Sequence, residues 1–170
     1  MGRQKPGKPR RRSGRDPHRH PGIVVNDGPH PDGWNTDAAL LETVTGAALA
    51  RCTSCQDVTL TLLVEDPVTC ARLVELACEA IIERQGSLPR NQTDPDAPGF
   101  ASLAFRRLAR AGQGATTRGM YQECEQMTGE ERRAAANTAL DTLVGFASLP
   151  PGLIDQLKRA AVDAAKRRNP

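Results

Sequence analysis

Two cysteines, Cys52 and Cys55, stand three residues apart in the stretch LARCTSCQ. That spacing brings two thiols within reach of one metal ion, or of each other. Half of a zinc site, a redox pair and two structural thiols are the three readings. If the segments on either side of Glu65 and Asp66 fold back as a helical hairpin, Cys52 and Cys55 lie about 13 and 10 residues before the turn and Cys78 about 12 after it. The three sulfurs could then converge, so the candidate metal ligands are Cys52, Cys55 and Cys78. Cys70 is too near the turn to join them. Zinc would need a fourth ligand, which His18, His20, His30, Cys124 or water could supply.

The competing role is plainer and carries more weight. No complete paired-cysteine motif is present, and a free cysteine in an alanine-rich core behaves as a small hydrophobe. A thioredoxin-like pair needs a βαβ setting, which the chain lacks. The expectation is therefore of no cofactor, with zinc the one ion that the cysteines could hold. The HRH of His18 to His20 is weak as a metal signal on its own, because it falls in a Pro- and Gly-rich arm. All three histidines lie in that arm, and no Ser, His and Asp set has a nucleophile elbow, so catalysis is not expected. The GQGATT turn at Gly112 to Thr117 lacks the Gly-Lys-Ser/Thr ending of a phosphate loop and follows a helix, which makes it a connector.

A second kind of chemistry is purely electrostatic. Residues 1–20 carry Arg3, Lys5, Lys8, Arg10, Arg11, Arg12, Arg15 and Arg19 against Asp16 alone, a net +7 inside a chain of only +3. A dense cationic tail attracts phosphates by counterion release, so these eight residues are the candidate nucleic-acid contacts. The alternatives are a solubilising tail, or one that folds back on residues 27–83, where ten carboxylates face only Arg51 and Arg72. Sequence-specific readout is not indicated. No convincing helix-turn-helix appears, and five aromatics (Trp34, Phe100, Phe105, Tyr121, Phe146) cannot furnish an aromatic-rich RNA-binding sheet. Arg106, Arg107 and Arg110 form a smaller cluster that reads as a solvated helix face.

The elements that must carry these groups read as helices. With so few aromatics the core must be built from Leu, Val and Ala, and 170 residues suffice for one domain. The excess of Arg over Lys, 19 to 4, hints at a GC-rich genome rather than at a function. Residues 1–34 hold too little apolar surface to offset their ordering entropy and read as a disordered basic arm. Asn35 and Thr36 offer caps to a helix with Leu40, Leu41, Val44, Ala47 and Ala48 on one face, reaching the cysteine pair. Asp57 to Val64 fits either a strand or a helix; helix is favoured because a lone strand would have no partner.

Asp66 and Pro67 then start a central core helix that runs to about Gln85, its Arg72, Glu75, Glu79 and Glu83 on one narrow polar stripe. The segment from Gly86 to Pro98 reads as loop. A short amphipathic helix follows with Phe100, Leu103, Ala104, Leu108 and Ala111, another over Arg118 to Met127, and a third opened by the capping box of Thr128 and Glu131 and closed by Pro150 and Pro151. A last helix spans Leu153 to Arg168, its basic residues at the end that favours cations. No repeat is present.

The expected architecture is thus an all-α, compact bundle of four to six helices over residues 35–168 behind the arm of residues 1–34. No apolar run is long enough for a transmembrane helix, and no secretory signal is apparent, which points to the cytoplasm and to reduced thiols. The leading function is a non-enzymatic binding or regulatory protein whose arm contacts nucleic acid. The alternatives are a protein-protein interaction module and a small cysteine-based zinc-binding protein. No membrane partner is expected.

Overall fold

A computed structural model describes residues 18–25, 33–113 and 117–148, and all regular structure among them is helical. Seven helices follow in order: α1 (Ala38–Leu49), α2 (Thr53–Glu65), α3 (Pro67–Gln85), α4 (Arg90–Thr93), α5 (Leu103–Ala111), α6 (Arg118–Gln126) and α7 (Gly129–Ala147). The number exceeds the expected four to six because α4, a single turn, forms within the stretch read as loop. The helix expected from Leu153 to Arg168 lies outside the described residues. No described helix is long and apolar enough to cross a membrane.

The central helix is α3. The Asp66 carboxylate accepts the N–H groups of Val68 and Thr69 at 3.1 and 3.2 Å, and Pro67 occupies the first turn. Gly86, at φ +84°, takes the left-handed conformation that ends the helix. Leu73, Val74, Ala77 and Ile81 of α3 are buried. They pack against α7, whose Ala135, Ala136 and Ala139 are fully buried and let the two helices approach closely, and against α5 and α6, which add Phe105, Leu108 and Tyr121. The polar stripe is an ion-pair ladder: Arg72 reaches Glu75 and Glu79, each at 3.0 Å, and the Tyr121 hydroxyl donates to Glu75 at 2.8 Å. The capping box of Thr128 and Glu131 forms as expected.

Several elements differ from the sequence-based expectation. Asp37, not Asn35 or Thr36, caps α1, its carboxylate accepting the Leu40 N–H at 2.9 Å. The helix stops at Leu49 before the cysteine pair. Residues 57–64 are helical, and their alternation misleads because Val58 and Leu62 are exposed while Leu60 and Leu63 are buried. Phe100 falls outside α5 and is 77% exposed; the helix starts after Ser102, whose hydroxyl accepts the Phe105 N–H.

The arginine cluster of α5 is not a uniformly solvated face. Arg106 is buried and donates to the carbonyls of Asp94, Pro95, Ala97 and Gly99, wrapping that loop around its guanidinium. Arg107 pairs with Glu123 and Glu131, and Arg110 alone of the three is exposed.

Of the stretch expected to be a disordered arm, residues 18–25, 33 and 34 are described, and some of them pack on the helices. Ile23, Val25 and Trp34 are partly buried against the core, and Trp34 stacks on Tyr121 with ring centroids 4.5 Å apart. The remainder of residues 1–34 lies outside the described residues.

Candidate metal centre

The segment His18–Val25 reaches the body of the protein through a crossing of two glycines. A Cβ on Gly22 would stand 1.7 Å from the Glu42 carbonyl oxygen, and one on Gly46 would stand 2.3 Å from the His20 carbonyl oxygen, so only glycine allows the two backbones to meet. The Ile23 N–H donates to the Thr45 hydroxyl at 2.9 Å, and that hydroxyl donates in turn to the Leu41 carbonyl at 2.7 Å. The strap is thereby registered on α1 with His18 and His20 at its leading end.

The other half of the site comes from the junction of α1 and α2. Beyond Ala50 the chain turns through Arg51 at φ +54°, with the Arg51 N–H donating to Ala48 and the Cys52 N–H to Ala47, the double bond pattern of a Schellman termination. An arginine there carries the Cβ penalty that glycine avoids. The turn delivers Cys52 as the residue capping α2 and Cys55 one turn further on.

Here the two halves meet. One donor atom from each of His18, His20, Cys52 and Cys55 lies within 4.8 Å of the other three. The His18 Nδ1 and the Cys55 sulfur are 3.2 Å apart. Zinc bonded at about 2.3 Å to sulfur and 2.0–2.1 Å to nitrogen requires donors roughly 3.3–3.8 Å apart in a tetrahedron, so the set needs only small adjustments to enclose the ion. The donor chemistry also fits, two thiols and two imidazoles being one of the common structural zinc sets.

Two further features favour a cation at this place. His20 Nε2 is buried and has no hydrogen-bond partner among the described residues, an arrangement that is costly unless something else engages it. The Cys52 thiol is lowered from 9.0 to about 5, first by the Cys55 backbone N–H, then by the Ser54 hydroxyl, the Cys55 thiol and the nearby His20. No capping hydrogen bond of ordinary geometry accompanies this. The start of α2 nonetheless favours the thiolate, which is the form that binds metal. A cavity of about 330 Å³ lined by His18, His20 and Cys55, with Ala47 and Val58 behind them, opens on one side of the donors.

Cys78, the third ligand expected with Cys52 and Cys55, is not among the four. It is buried on α3, its thiol pushed up to about 12 by burial and then by Glu75 and Glu79, and it lines a separate cavity with Met120. The supposed α2–α3 hairpin does not bring it over because α2 packs chiefly on α1 and α7 and shares little surface with α3. Cys124, considered as a fourth ligand, is buried beside Cys70. The signal for the histidines was their i, i+2 spacing, which in an extended segment sends both rings to one side. Of the eight cationic residues expected to contact nucleic acid, Arg19 is exposed between the two histidines; Arg3, Lys5, Lys8, Arg10, Arg11, Arg12 and Arg15 lie outside the described residues. Comparisons of the chain with protein-family models, with curated proteins and with solved structures give no match.

Proposed function

We propose that the protein is a non-enzymatic zinc-binding protein whose metal centre fastens the root of a cationic N-terminal segment, and that this segment contacts the phosphate backbone of nucleic acid. The observation that carries the first half is the convergence of His18, His20, Cys52 and Cys55 from two distant parts of the chain. Four protein ligands fill a tetrahedral ion, which is the pattern of a structural site, whereas a catalytic one keeps a position open. Zinc would supply a fixed link between the strap and α2. The second half rests on the net +7 of residues 1–20, which ends at the ligands themselves.

The experiment separates the two. Protein purified without added metal is expected to carry stoichiometric zinc by elemental analysis, and H18A or C52A to lose it. Removing residues 1–17, which leaves both histidines, is expected to retain the zinc and abolish most of the salt-sensitive retention on a phosphate polymer. Absence of zinc ends the metal reading. Equal retention by the truncated chain ends the nucleic-acid reading, and a protein-interaction module would then replace it.

A further inference from the structure

The way the ligands are built makes this site one that can be opened by oxidation. We infer that Cys52 and Cys55 form a peroxide-sensitive dithiol whose conversion to a disulfide expels the zinc and unfastens the His18–Val25 strap; this rests on the zinc-binding reading above.

The geometry has three parts. First, the two sulfurs already lie within 4.8 Å of each other, so closing to the roughly 2.05 Å of an S–S bond needs side-chain rotation and no rearrangement of helices. Second, access is selective. Cys52 and Cys55 are partly exposed, and the cavity lined by Cys55 gives a small oxidant an approach. Cys70, Cys78 and Cys124 are all buried. Third, few other contacts hold the strap. Besides the four donors, the described residues of the strap are held by the Ile23–Thr45 hydrogen bond, the glycine crossing, and the partial burial of Ile23 and Val25.

The reaction balances with hydrogen peroxide as the oxidant. One thiolate attacks a peroxide oxygen; the S–O bond forms, the O–O bond breaks, and hydroxide leaves to take up a proton as water. The second thiolate attacks that sulfur; the S–S bond forms, the S–O bond breaks, and a second hydroxide leaves and is protonated. Overall, two thiolates lose two electrons, one peroxide is reduced to two waters with two protons consumed, and the zinc departs as the dication, since a disulfide and two imidazoles hold it poorly. A dithiol reductant with added zinc reverses the process.

The test uses the zinc-loaded full chain. Peroxide is expected to release the zinc stoichiometrically to a chromogenic chelator. Peptide mapping should show the loss of two hydrogens in a Cys52–Cys55 bridge, and tryptic cleavage after Arg19 should accelerate several-fold. The substitution C55H keeps four donors but removes the dithiol, so its zinc should survive the same peroxide. If that variant fails to hold zinc, the mapping in the wild-type chain still decides. Zinc that stays bound under peroxide, a bridge formed elsewhere, or zinc loss without a bridge overturns the inference while leaving the zinc-binding reading intact. A chain that never held zinc overturns both.

Discussion

Cys52 is the residue whose surroundings make the sharpest chemical demand. With its thiol lowered to about 5 against 9.0, the folded state prefers the thiolate. The contribution of this group to stability is therefore fully present above the ordinary thiol range and is lost as the pH falls through about 5. In metal-free protein, alkylation at pH 6 is expected to modify Cys52 rapidly and to leave Cys78, pushed up to about 12 and buried, untouched until the chain unfolds. Peptide mass mapping over a pH series checks this; equal labelling of the two would refute it. Arg51 makes a conformational demand. It holds the left-handed position that glycine usually fills at a helix end, so Arg51→Gly should raise stability by about 1 kcal/mol in a denaturant titration of the metal-free chain. A loss of stability would show that the arginine side chain offsets its own strain.

At the scale of elements, the strap and α1 test each other. Gly46→Ala places a methyl group where the His20 carbonyl stands, and Gly22→Ala one where the Glu42 carbonyl stands. Neither residue is a ligand, yet each substitution should lower zinc affinity about 10–100-fold by displacing the histidines, the range seen when supports of a metal ligand are removed. A competition titration with a chelator of known affinity measures it. For the core, Leu73→Ala and Ile81→Ala on α3 should each cost about 2–5 kcal/mol through lost transfer energy and a cavity, and wild-type unfolding midpoints in both would show that α3 is not central.

The starts of α3 and α7 were legible because capping is local: Asp66-Pro67 and Thr128 with Glu131 act within one turn. Of the four converging donors, two stood out in the sequence. Cys52 and Cys55 announce themselves by spacing, but the choice between Cys78 and the two histidines depends on how helices pack and on a glycine facing a glycine across 24 residues of sequence. Arg106 was misread for a related reason, since the carbonyls it gathers belong to a loop whose path no local pattern encodes.

Across the described residues, α3 and its neighbours pack together, and the candidate metal centre lies where the segment His18–Val25 meets α1 and the start of α2. Among the described residues, α3, α5, α6 and α7 contribute none of the four converging donors. The bond pair between His18 and Cys55 spans 37 residues of chain, and the folded protein already holds those two atoms at 3.2 Å. In an unfolded chain, closing a ring of that length costs about 4 kcal/mol of entropy. Folding thus prepays the closure once, and the difference reappears as nearly three powers of ten in preference of the ion for the folded chain over the unfolded one. On the proposed zinc reading, the ion is a removable cross-link. Stripping it with a chelator should lower the melting temperature by on the order of 10 °C, and mutating either histidine should abolish that chelator effect.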